Sequence, residues 1–191
     1  MKLSEILSEM NITFDKTRDN LFDYILHSKD TITLDIFPNI IDDNKKYQSV
    51  EVFYQRVLDN SMNKQDFMNI ENCFIKFINI LWLYSDTYIN VISSEIKSNY
   101  YYKKNRKSLR KYIDFIAKCS KSDDYFHVDD IDILNSLITL ATRDISPIIF
   151  YFKNSKTLLL LNGCMGLVYP KSPENILYIK QIANNCSLFL Y

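Results

Sequence analysis

The chain has 191 residues, 47% of them hydrophobic and 24% charged, which is enough apolar material for a sizeable core and argues against wholesale disorder. Its 23 basic and 23 acidic residues cancel, so it is not a generic binder of polyanions, and only local charged patches remain as candidates. Two glycines and two histidines disfavour glycine-rich phosphate loops, dinucleotide-binding turns and a histidine-rich metal site.

The four cysteines, Cys73, Cys119, Cys164 and Cys186, make no CxxC pair. They read as reduced, mostly buried thiols of a cytoplasmic protein rather than as a disulfide framework. The N-terminus, MKLSEILSEMN, lacks the apolar run of a signal peptide. The two most apolar regions are interrupted by Lys76 and Asp86, and by Lys153 and Lys156. No membrane span is predicted.

In chain order, residues 2 to 10 predict a short helix with Leu3, Ile6, Leu7 and Met10 on one face. A second helix follows over Thr17 to Ser28, capped by Asp15 or Thr17. Ile32, Leu34 and Ile36 alternate with polar residues and stop before Pro38, a half-buried strand. Asp42 to Lys46 reads as a polar loop and Ser49 to Asp59 as a helix.

The longest pattern is DFMNIENCFIKFINILWLYSDTYINVISSEIK, Asp66 to Lys97, with no Gly and no Pro. Phe67, Ile70, Phe74, Phe77, Leu81, Tyr84, Tyr88 and Ile92 recur at helical spacing. This predicts a central helix of roughly 48 Å at about 1.5 Å per residue, capped by Asn63 and kinked near Ser85-Asp86. A basic helix to Lys121 is expected next, then an acid-capped helix ending at Arg143. The last fifty residues or so turn to strands: IIFYF after Pro147, TLLLL from Thr157, an Asn162-Gly163 hairpin signal and Leu167 to Tyr169. Ser172-Pro173-Glu174 starts a further helix, and Ser187 to Tyr191 a terminal strand. The fold class expected is therefore α+β in a single domain, residues 1–191. Its N-terminal part (1–145) is mainly helical around the long helix, and its C-terminal part (146–191) is a small antiparallel sheet with one helix.

Three constellations carry chemistry. Tyr100, Tyr101 and Tyr102 precede Lys103, Lys104, Arg106, Lys107, Arg110 and Lys111. Aromatics beside cations can stack on bases and neutralise phosphates, and the plain alternative is a solvated helix face. The acidic run Asp123, Asp124, Asp129, Asp130 and Asp132 brackets Tyr125 and Phe126. It fits a basic protein surface, with the aromatics as anchors and the aspartates steering encounter, or else it serves as caps. It lacks the Gly and Glu of a calcium-binding loop. Asn162-Gly163-Cys164-Met165-Gly166 puts both glycines around one cysteine. A nucleophilic cysteine needs a nearby base or cation, and His27 and His127 are distant in sequence, so a structural cysteine in a turn is expected. His127 reads as a surface histidine.

The segments LATRDISPIIFYF, KTLLLLNGCMGLVY and SPENILYIKQIANNCSLFLY, covering about the last third of the chain, resemble the tails of immunity proteins from bacterial polymorphic-toxin and contact-dependent growth inhibition systems. That resemblance implies a small cytoplasmic, non-enzymatic protein that binds one cognate toxin and occludes its active site. It carries no functional residue over. With it, the expected partner is a basic toxin such as a nuclease, met by Asp123 to Asp132, with no cofactor and no metal. The competing expectation is a nucleic-acid-binding or phage or viral anti-defence protein acting through Tyr100 to Lys111, with Tyr101, Lys103, Lys104, Arg106, Lys107, Arg110 and Lys111 as its contact residues.

Overall fold

The computed structural model describes residues 1–13, 20–91 and 125–191. Two apolar runs organise it. IIFYF becomes β4 (Ile148–Phe152), with every residue buried, and TLLLLN becomes β5 (Thr157–Asn162), buried up to its last residue. A strand apolar on both sides has to be covered on both sides. Alternate side chains point to opposite faces, so Ile148, Phe150, Phe152, Leu159 and Leu161 face one core. Ile149, Tyr151, Leu158 and Leu160 face a second.

The larger core is closed by α5 (Lys64–Leu83), α6 (Ile131–Thr142) and α7 (Pro173–Asn185). The smaller is closed by α1 (Leu3–Met10) and α2 (Leu21–His27). The result is three layers, helices on both faces of a sheet. That sheet runs β3-β2-β4-β5-β6-β1-β7 among the described residues, and all its pairs are antiparallel. Its remaining members are β1 (Ile32–Asp35), β2 (Thr87–Val91), β3 (Phe126–His127), β6 (Met165–Pro170) and β7 (Phe189–Leu190).

This overturns the expectation of a mainly helical N-terminal part with a small C-terminal sheet. β1, β2 and β3 come from that N-terminal part and extend the sheet on both sides of the C-terminal strands. The long helix is also shorter than its pattern. Asn63 caps it as expected, accepting from the Gln65 N–H at 2.7 Å, but α5 ends at Leu83, about 30 Å from its start. Thr87 to Val91 then pair residue by residue with β4, Thr87 opposite Phe152 and Val91 opposite Ile148. Thr87-Tyr88-Ile89-Asn90-Val91 alternates buried and half-buried, so it satisfies a two-residue period as well as a helical one. The open edge of β4 decides between them. The turn is pinned where the Ser85 hydroxyl accepts from the Asn154 N–H at 2.9 Å and the Asp86 carbonyl accepts from the Lys153 N–H at 2.9 Å.

Smaller corrections follow the same logic. The helix expected over Ser49 to Asp59 is two short ones, α3 (Asn44–Val50) and α4 (Gln55–Leu58), so the loop expected from Asp42 to Lys46 is partly helical. α2 is capped by Asn20, whose side chain accepts from the Asp23 N–H; the expected caps Asp15 and Thr17 lie outside the described residues. Ser172 occupies the cap position of α7 but makes no side-chain cap bond. The hairpin after β5 exists, with Asn162 paired to Met165, so its two turn residues are Gly163 and Cys164. No described helix is long and apolar enough to cross a membrane.

Candidate functional site

Four chain segments end at one corner of the larger core and leave a cleft of about 160 Å³ between them. β1 delivers Asp35 and, just beyond it, Phe37; the α3–α4 link delivers Glu51 and Phe53; the end of α6 delivers Asp144; the β5–β6 turn delivers Asn162 to Met165. Tyr47 of α3 completes the wall, and among the described residues no Lys or Arg lines it.

Asp35 is only 4% exposed. Its Oδ1 accepts from the Ile36 N–H at 2.6 Å, and its Oδ2 accepts from the Tyr191 hydroxyl at 2.9 Å. Tyr191 is itself fixed by two backbone bonds to Thr33, so the end of the chain holds this carboxylate in place. Tyr47 faces the same charges. Burial first, then Glu51 and Asp35, push its phenol above the ordinary value.

Asp144 sits just past the last turn of α6 with a left-handed backbone, φ 55°. Glycine or asparagine is the usual residue there, and a carboxylate at a helix C-terminus meets the negative end of the dipole. Burial raises its pKa, the Tyr54 N–H bond at 3.4 Å pulls the other way, and Glu51 raises it again. Gly163 makes room for it: a Cβ there would stand 2.7 Å from the Asp144 Oδ1.

Behind the cleft lies a buried ion pair. Glu71 of α5 accepts from Arg143 Nε at 2.7 Å and Nη2 at 2.6 Å, and from the Thr142 hydroxyl at 2.9 Å. The guanidinium lies 5.1 Å from the Tyr54 ring centre, and that ring packs edge-on against Phe67. The pair thus fixes Tyr54, whose N–H holds Asp144.

Cys164 is 6% exposed, with its sulfur 3.9 Å from the Thr142 carbonyl. Burial and the carboxylates of Asp144, Glu71 and Asp35 all push its pKa up, and only Arg143 opposes them. It is a thiol at neutral pH, and neither His27 nor His127 is among the lining residues. No group of three or more His, Cys, Asp or Glu among the described residues is arranged to hold a metal ion.

The acidic run distributes differently. Asp123 and Asp124 lie outside the described residues, as do Tyr101, Lys103, Lys104, Arg106, Lys107, Arg110 and Lys111. Tyr125, expected as a surface anchor, is 4% exposed and belongs to the smaller core with α1 and α2. Phe126 is half-buried on β3 against the larger core. Asp129, Asp130 and Asp132 are exposed, and Asp130 is the cap of α6, accepting from the N–H groups of Asp132 at 2.7 Å and Ile133 at 3.2 Å. This end of α6 is about 18 Å from the cleft at its other end, so the run and the cleft are separate features.

Sequence reasoning missed Asp35, Glu51 and Asp144 because they come from elements far apart in the chain. One local signal was available: Arg143-Asp144 closes a helix where Gly or Asn is usual. The chain matches no protein-family model, no curated protein and no solved structure.

Proposed function

We propose that the protein is a non-enzymatic, cytoplasmic binding protein: an immunity protein that neutralises a cognate bacterial toxin by covering its active site. A nuclease is the favoured partner, since nucleases carry basic surfaces to hold phosphate. The observation that supports this reading best is the convergence of Asp35, Glu51 and Asp144 on one concave corner with no basic residue in its lining among the described residues, in a chain of zero net charge. Concentrated negative charge on a neutral protein favours encounter with a positive partner. Asp129, Asp130 and Asp132 add an exposed acidic patch at the other end of α6.

The test is the association rate with the product of the neighbouring toxin gene, measured against salt, together with inhibition of that product's nuclease activity. Tight binding that slows as salt rises, with inhibition, is the expected result. Replacing Asp123, Asp124 and Asp130 with Asn should slow association and flatten its salt dependence, and Asn keeps the cap at Asp130. Absence of binding at low salt overturns the proposal. Binding of RNA or DNA by the wild type, weakened by Lys104→Ala and Arg106→Ala, would establish the nucleic-acid reading in its place.

A further inference from the structure

We infer that the cleft is a docking groove for an apolar segment of a basic partner protein, with one Arg or Lys side chain of that segment inserted between Asp35, Glu51 and Asp144. The inference rests on the binding-protein reading for the existence of a partner, and it adds the chemistry by which that partner is held.

Size limits the occupant first. Small-molecule sites run to about 300–1,000 Å³, while this cleft holds about 160 Å³. That is room for roughly five waters at about 30 Å³ each, or for the head of one long side chain. A nucleotide or a cofactor does not fit.

The wall offers apolar side chains to a partner. Phe37, Val52, Phe53 and Met165 belong to it, and Met165 is 38% exposed. Apolar contacts around a recess exclude water from a central anchor.

Charge then selects the anchor. Among the described residues both guanidinium groups are committed elsewhere: Arg143 to Glu71, and Arg56 to the carbonyls of Ser49 and Glu51 at 3.1 and 2.9 Å. Asp144 accepts one long backbone bond, at a position where its charge opposes the helix dipole. A neutral or anionic group gains nothing here. A cation gains three carboxylates and the rings of Phe37 and Tyr47, against which a guanidinium packs well, while the Phe53 ring already carries the guanidinium of Arg56 at 6.0 Å.

The experiment is an NMR titration of the full chain at low salt with the tripeptide probe acetyl-Leu-Arg-Leu-amide, beside the same peptide carrying neutral citrulline. The arginine peptide is expected to shift the backbone amides of Phe37, Tyr54, Gly163 and Cys164, and to bind at least tenfold more tightly than the citrulline one. Glu51→Gln and Asp144→Asn should each weaken it about tenfold, with thermal melts showing both variants folded. Equal binding of the two peptides, shifts confined to other surfaces, or no shifts at millimolar peptide would overturn the inference. Concentration-dependent dimerisation abolished by Met165→Asp would also overturn it, by assigning the groove to a second copy of this chain. A toxin that binds but ignores Glu51→Gln and Asp144→Asn removes the groove and leaves the immunity reading standing. Arginine-peptide binding at the groove with no toxin partner does the reverse.

Discussion

Glu71→Gln removes one buried negative charge while keeping the side chain's shape. Glu71 is 4% exposed and receives two bonds from Arg143 and one from Thr142. Breaking a buried pair from one side costs about 3–5 kcal/mol, because the surviving charge stays buried without a counter-charge. The Arg143 side chain keeps 16% exposure and its stacking on Tyr54, and Gln still offers one acceptor, so the lower end, about 3 kcal/mol, is expected. For a domain of this length that corresponds to a fall in melting temperature of about 6–12 °C. Urea melts should show the midpoint moving with the slope unchanged. The double variant Glu71→Leu with Arg143→Met should return to within about 1 kcal/mol of wild type, since a buried pair and an apolar replacement are often close in energy. Its Thr142 hydroxyl keeps a partner in the Thr139 carbonyl at 3.3 Å. A single-variant loss below about 1 kcal/mol, or a double variant as unstable as the sum of the singles, would refute the claim that this pair is buried and mutually dependent.

Asp144→Asn should stabilise the protein by about 0.5–1 kcal/mol at neutral pH, because Asn suits a left-handed position and is indifferent to the helix dipole. Burial raises the folded pKa of Asp144 above its ordinary 3.8, so its ionised form penalises the folded state. That penalty is present at neutral pH, shrinks as pH falls through the folded pKa and vanishes below 3.8. Melts of the two proteins should therefore draw closer in acid, leaving only the pH-independent backbone preference of Asn at the left-handed position, and a constant gap between pH 7 and pH 3.8 would count against it. Phe77→Ala empties a fully buried site between α5 and the sheet and should cost about 3–5 kcal/mol; a loss near zero in urea melts would mean that α5 does not close the core.

The sequence alone determined most individual elements where apolar spacing and local chemistry agree. α1, the helical part of the long pattern from Asp66 to Leu83 with its Asn63 cap, α6 with an aspartate cap, the β4–β5–β6 meander and α7 after Ser172-Pro173 were all legible. In each, one period dominates and the boundary is written in Asn, Asp, Pro or Gly. Tertiary structure decided what periodicity leaves open. Thr87 to Val91 satisfies both a helical and a two-residue pattern, and only the unpaired edge of β4 makes it a strand. β1 reads as a strand locally, but its place between β6 and β7 depends on pairings with residues more than a hundred positions away. The same holds for the candidate site. Aspartates that cluster in sequence, Asp129 to Asp132, stay at the start of α6, while Tyr125, four residues before them, is drawn into the smaller core. The carboxylates that share a cleft come from β1, the α3–α4 link and the end of α6, because burying both faces of one sheet fixes where those separate chain ends arrive.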